Sequence, residues 1–171
     1  MTTWRQDAIN GIEQGAVFQF ARTFHEDDTE IFGNITCDYN PVHYLPEFAA
    51  AKGFPGTICH GLLVGSMICE WGGQVAWLAS GMSFRFLRPV LHGDSVTCTI
   101  RVVSVNKKGF ATAEALMVNQ DGAEVMRAAL EGFLPNEADR LLLGRMVAAG
   151  DPTNKRRAAN GIAKRRRKRI D

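Results

Sequence analysis

Residues 59–78 read Cys59-His60-Gly61-Leu62-Leu63-Val64-Gly65-Ser66-Met67-Ile68-Cys69-Glu70-Trp71-Gly72-Gly73-Gln74-Val75-Ala76-Trp77-Leu78. Wound as a helix, this stretch is apolar on nearly every side. A helix without a polar face must be covered by other elements. Gly61, Gly65, Gly72 and Gly73 each cost such a helix about 1 kcal/mol relative to Ala. That cost is tolerable where a backbone must come close to a sheet. The stretch therefore predicts one long central helix inside a wrapping sheet.

The flanks predict that sheet. Residues 17–24 form a Phe- and Val-rich strand after Gly15. Residues 82–91 form another, with Phe84 and Phe86 on one face. After the turn His92-Gly93-Asp94, Val96, Cys98, Ile100 and Val102 alternate with Ser95, Thr97, Thr99 and Arg101, a period of two. Lys107-Lys108-Gly109 turns the chain into a strand over 110–118. Asp121-Gly122 is a hairpin signal before a last strand over 123–134, ended by Pro135. Turns between consecutive strands predict an antiparallel meander. Asp27-Asp28-Thr29-Glu30 resembles a capping box for a short helix through Ile31, Phe32 and Ile35. Pro41 breaks that helix into a turn, and 44–51 predicts a second short helix. Residues 136–149 predict a helix with Leu141, Leu142, Met146 and Val147 on its apolar side. Helices and strands are segregated, so the fold class is α+β, an antiparallel sheet wrapped around a long central helix.

The 171 residues are 46% hydrophobic and 22% charged, a globular composition. The N-terminus lacks a signal-peptide pattern, and no apolar run is long enough to cross a bilayer. Cys37, Cys59, Cys69 and Cys98 form no CxxC pair and have no zinc-finger spacing. Reduced thiols used as small apolar side chains fit a cytoplasmic setting without membrane insertion. The net charge of +2 hides an asymmetry. Residues 151–171 carry nine basic and two acidic side chains, and the rest carry eleven and sixteen. The reading is a domain over 1–150 with a basic, disordered tail over 151–171. The run Lys164-Arg165-Arg166-Arg167-Lys168-Arg169 could attract phosphates, but the domain has the wrong sign for nucleic acid. Nucleic acid is expected, if at all, only through the tail.

Two short stretches could carry chemistry. In Asp38-Tyr39-Asn40-Pro41-Val42-His43, a rigid turn can bring a carboxylate and an imidazole toward one point. Such a pair can hold a water, remove its proton and deliver one elsewhere. In His60-Gly61, an unpaired amide at a helix start could stabilise a carbonyl oxygen gaining charge. On spacing alone, Asp38 and Asn40 could equally be bonding local backbone, His43 could be an ordinary half-buried histidine, and His60-Gly61 only a helix start.

The pattern Asp38-x-Asn40-Pro41-x-His43, followed by Gly56-Thr57-Ile58-Cys59-His60-Gly61-Leu62-Leu63 and by Phe84-Arg85-Phe86-Leu87-Arg88-Pro89-Val90, resembles the MaoC-type (R)-specific enoyl-CoA hydratase family. The resemblance implies a hot-dog fold, a homodimer or larger homo-oligomer, and reversible hydration of a trans-2-enoyl thioester. Carried over, Asp38 and His43 share the catalytic water, and the Gly61 N–H donates to the thioester oxygen. Asn40 orders the turn, and Asn40, His60, Arg85 and Arg88 are candidates for holding substrate, with Arg85, Arg88, Lys107 and Lys108 the candidate partners for coenzyme A phosphates. The thioester carrier is coenzyme A or acyl carrier protein. No metal and no redox cofactor is implied. Cys37 stands where members commonly carry Gly or an acidic residue. A non-catalytic acyl-thioester-binding subunit and a thioesterase are the alternatives on the same fold.

Overall fold

The computed structural model describes residues 3–155. The elements are α1 (Thr3–Asn10), β1 (Val17–Thr23), α2 (Glu26–Thr36), a 3-10 turn (Pro41–His43), α3 (Pro46–Ala51), α4 (Gly61–Gly65), α5 (Met67–Val75), β2 (Leu78–Phe86), β3 (Ser95–Val105), β4 (Phe110–Asn119), β5 (Glu124–Phe133) and α6 (Glu137–Ala148). One antiparallel sheet, in the order β1-β3-β4-β5-β2, curls around α4 and α5. This is the hot-dog arrangement that the resemblance implies.

The alternation on β3 holds. Val96, Cys98, Ile100 and Val102 are buried against the helices. From the helical side Met67, Ile68, Trp71 and Val75 fill the same core, each at most 1% exposed. Burying one such side chain contributes about 1.5–3 kcal/mol.

The central helix is two segments, not one. The chain turns at Ser66, whose hydroxyl donates to the Leu63 carbonyl at 2.6 Å. The second segment stops at Val75, because Ala76 takes a left-handed φ of 54° and the Trp77 N–H closes on the Gly72 carbonyl at 2.8 Å. Leu78, expected in the helix, begins β2.

The simple meander is also corrected. β2 does not pair with β3 across the His92 turn. It crosses the sheet to pair with β5, Phe84 opposite Ala128 and Phe86 opposite Met126. Two of the four helix glycines face this strand. A Cβ on Gly61 would meet the Phe86 ring at 2.6 Å, and one on Gly65 the Phe84 ring at 3.0 Å. Gly73 faces open space, so sheet contact does not explain it.

Smaller differences follow from local hydrogen bonds. The α2 cap lies two residues earlier than expected: the His25 N–H donates to Asp28 Oδ2 at 3.0 Å. The buried residue of α6 is Leu143, while Leu141 and Leu142 lie exposed. α1 was not foreseen; it packs Trp4 and Ala8 into the core. Residues 151–155 contact the body of the fold. Arg5 Nε lies 3.9 Å from Asp151 Oδ2, and the Gln74 amide donates to the Thr153 and Lys155 carbonyls at 3.3 and 2.6 Å. The basic run lies outside the described residues.

All four cysteines are free. Burial pushes the Cys59 and Cys98 thiols up to about 12, so both behave as small apolar groups.

The glycine contacts separate two outcomes. A Cβ on Gly132 would meet the Leu78 carbonyl and, at 2.8 Å, the Ala79 Cα, both backbone that cannot swing aside. Gly132→Ala is expected to lose about 1–3 kcal/mol. Gly73→Ala is expected to gain up to about 1 kcal/mol. Urea denaturation of the two variants beside the parent protein checks both signs.

Candidate active site

α2 ends at Thr36, and Cys37 follows with a left-handed φ of 58°. A side chain there costs about 1–2 kcal/mol, and Gly would avoid it. The left-handed residue turns the chain so that 38–43 runs back beneath the start of α4. Within that segment the Asn40 N–H donates to Asp38 Oδ1 and the Val42 N–H to Asn40 Oδ1, each at 3.3 Å. Both bonds stay within the turn itself. Pro41 then starts the 3-10 turn that delivers His43 inward, 8% exposed.

Three side chains meet at the mouth of α4. Asp38, His43 and His60 each offer an atom within 4.8 Å of the others'. Among these, His60 Nε2 lies 4.0 Å from Asp38 Oδ2. A tetrahedral zinc with bonds of about 2.0–2.1 Å would draw its ligand atoms to about 3.4 Å. It would also compete for the His60 Nε2, which already donates to the Asp38 carbonyl at 2.9 Å.

His43 has a fixed direction. Its Nδ1 lies 2.8 Å from the Ile58 carbonyl, which can only accept. The proton therefore sits on Nδ1, and Nε2 keeps its lone pair. Burial holds the His43 pKa below its usual value, against the raising effect of the Ile58 bond. The neighbouring His60 ring, with its centroid 3.9 Å away, pushes in the same direction as burial. Asp38 remains half-exposed, with a side chain 49% accessible.

These groups open onto a cavity of about 530 Å³ whose lining includes Asp38, His43, His60, Gly61, Phe86 and Arg88. Gly61 is the first residue of α4, so its N–H has no acceptor within the helix. α4 is only five residues long, so the local amide matters here more than a collective dipole. The space a Gly61 side chain would take is filled by the Phe86 ring rather than left open for substrate. Phe86 is thus a lining residue that motif reading missed.

Arg88 lines the cavity and donates to the Glu124 carbonyl at 2.7 Å. Arg85 does not join it. It alternates with Phe84 and Phe86 along β2 and sits opposite Arg127 on the outer face of the sheet. His92, read as a turn residue, is a strut. Its two ring nitrogens bond Thr29 Oγ1 at 3.0 Å and Thr57 Oγ1 at 3.2 Å. It thereby ties α2 to the loop that carries Ile58. No spacing rule announces that role.

A family description of the MaoC-like domain matches residues 8–123. The chain belongs to the MaoC-like domain family. Among relatives of this MaoC-like chain, the (R)-specific enoyl-CoA hydratase of Aeromonas caviae is 31% identical over 121 residues, spanning 68% of this chain and 90% of that protein. A mitochondrial 3-hydroxyacyl-[acyl-carrier-protein] dehydratase of Solanum lycopersicum is 27% identical over 135 residues, 74% and 80% of the two chains. The solved structure of the A. caviae (R)-hydratase, described as involved in PHA biosynthesis, superposes with a TM-score of 0.69 at 29% identity, covering 73% of this chain and 98% of that one. The unliganded R-hydratase PhaJ1 of Pseudomonas aeruginosa also gives 0.69, at 28% identity over 75% of this chain and 86% of its own. The MaoC-like fold is therefore a hot-dog fold, and these relatives are named as hydratases and a dehydratase.

The lowered His43 pKa has a definite sign. The neutral ring is favoured in the folded state, so its share of stability is present above the unfolded value of about 6.5 and is lost as pH falls through the folded value. An NMR titration of the folded MaoC-like chain is expected to place the His43 midpoint below about 6.5. A midpoint above that value would contradict the geometry.

Proposed function

We propose that the protein is an (R)-specific enoyl-thioester hydratase, equally able to run the reverse dehydration of a 3-hydroxyacyl thioester. The observation that carries this reading is the meeting of the Asp38 carboxylate, the His43 imidazole and Gly61 in one cavity. A water held between Asp38 and His43 gives its proton to His43 Nε2 as its oxygen bonds C3. The C2=C3 electron pair moves toward the carbonyl, and charge collects on the thioester oxygen beside the Gly61 N–H. C2 then takes a proton returned by the Asp38–His43 pair, and the sum is water plus enoyl thioester giving 3-hydroxyacyl thioester. Reversal uses the same groups. No metal or redox cofactor enters a step.

The (R) product and the thioester carriers are inferred from the relatives' names. Arg88, at the cavity, is the better placed candidate for coenzyme A phosphates. Arg85 faces away and is set aside for that role.

The working unit is proposed to be a homodimer. Among the described residues β2 hydrogen-bonds only to β5, which leaves its outer edge open. That edge strand carries Leu78, Met82 and Phe86 at 73%, 41% and 54% exposure. An exposed apolar edge of this kind invites pairing with another strand. A second copy offers the same strand, and pairing would cover the Phe86 side of the cavity.

Two experiments check this reading. Asp38→Asn and His43→Ala are each expected to lower hydration of crotonyl-CoA by about 10²–10⁴ in kcat, with the melting temperature held. Wild-type rates in both variants would refute the assignment. Sedimentation is expected to give twice the 18.8 kDa chain mass. Met82→Pro, which removes an edge N–H, is expected to shift the protein toward monomer, whereas a monomeric parent would end the dimer proposal.

A further inference from the structure

His60 is the most buried charged or polar side chain of the site, at 1% exposure. The sequence suggests a substrate contact, and its bonds point elsewhere. Nε2–H donates to the main-chain carbonyl of Asp38 at 2.9 Å, while Asp38 Oδ2 lies 4.0 Å away. The ring lies on the His43 ring, with centroids 3.9 Å apart and planes 31° apart. Phe32 closes the other surroundings at 5.2 Å. Nδ1 has no hydrogen-bond partner among the described residues.

This is an expensive arrangement. A buried polar atom left unpaired costs about 1–3 kcal/mol, so an apolar residue would suit stability better. What the imidazole supplies in return is a single rigid plate that touches both members of the acid–base pair. It holds the Asp38 backbone by a hydrogen bond and His43 by ring contact. Because Gly61 is the next residue, the same plate sets both groups against the oxyanion donor. Tyr44 assists weakly, its hydroxyl donating to the same Asp38 carbonyl at 3.4 Å. That hydroxyl also occupies the space a Gly33 side chain would need.

We propose that His60 is a positioning residue, which fixes the distance between Asp38, His43 and the Gly61 N–H and makes no contact with substrate that the reaction needs. The proposal rests on the hydratase reading of the same site. Small misplacements of this kind cost up to about 10² in rate.

Three substitutions separate the possibilities. His60→Phe keeps a stacking ring, removes the donor and leaves no orphan nitrogen, so the fold is retained. His60→Gln restores a donor where Nε2 stood. In His60→Phe, kcat is expected to fall roughly 10–100-fold with KM within about threefold of the parent. His60→Gln is expected to recover most of that loss, and His60→Ala to lose at least as much as His60→Phe. A rise in KM at unchanged kcat would overturn the proposal in favour of a substrate contact. Equal losses in the Phe and Gln variants, tracking a lowered melting temperature, would overturn it in favour of a purely structural role.

A second readout needs no turnover. Backbone ¹⁵N relaxation of residues 38–43 is expected to show new exchange broadening in His60→Phe and not in His60→Gln. An unchanged segment in His60→Phe would overturn the positioning role. If the parent protein hydrates no enoyl thioester, the hydratase reading fails alone, and the relaxation data still decide what His60 does.

Discussion

The hydrogen bond from His43 Nδ1 to the Ile58 carbonyl, at 2.8 Å, is the constraint on which the site depends. It fixes the tautomer, and with it the one nitrogen free to take a proton. Without it the ring could turn, and burial alone would not say which atom faces the cavity. The carbonyl is itself held in place. Ile58 bridges to Leu91, its N–H donates to the Val42 carbonyl at 3.3 Å, and the next residue is tied to Val90. His92 braces Thr57 from behind. A loop that looks irregular is thus pinned on both sides, by the connection between β2 and β3 and by α2.

The fold places these parts by one close approach. The Phe84 and Phe86 rings lie directly on the glycines of α4. A side chain at Gly61 or Gly65 would meet these rings and displace them from the helix. The glycines therefore reduce helix propensity where proximity matters more. The opposite end of α5 is secured differently: Arg5 donates to the Gly73 carbonyl, and Gln74 reaches to the residues after α6.

Much of this was legible in the residues. The period-two run on β3, the turn at Lys107-Lys108-Gly109 and the Asp121-Gly122 hairpin located three strands, because these signals are local. The partner of β2 was not legible. Strand order is a long-range choice, and the turn at His92 looks the same whether the chain doubles back or crosses over. The break at Ser66 carries no Pro to mark it. α1 was missed because only Trp4 and Ala8 of its residues are buried hydrophobics, too few for a periodic pattern. The site divides in the same way. Asp38, Asn40, His43 and Gly61 stood out by motif. The opposite orientation of Arg85 could have been read from its alternation with Phe84 and Phe86. The roles of His60 and His92 could not, since each acts across the fold on residues far away in the chain.

The central claim is that one carboxylate and one imidazole activate a shared water against an enoyl thioester. Its most direct measurement is incubation of the full chain with crotonyl-CoA, with chiral chromatography of the product. The account predicts loss of the enoyl absorbance with formation of (R)-3-hydroxybutyryl-CoA alone. Free coenzyme A without a hydroxyacyl product, or a racemic product, would contradict it.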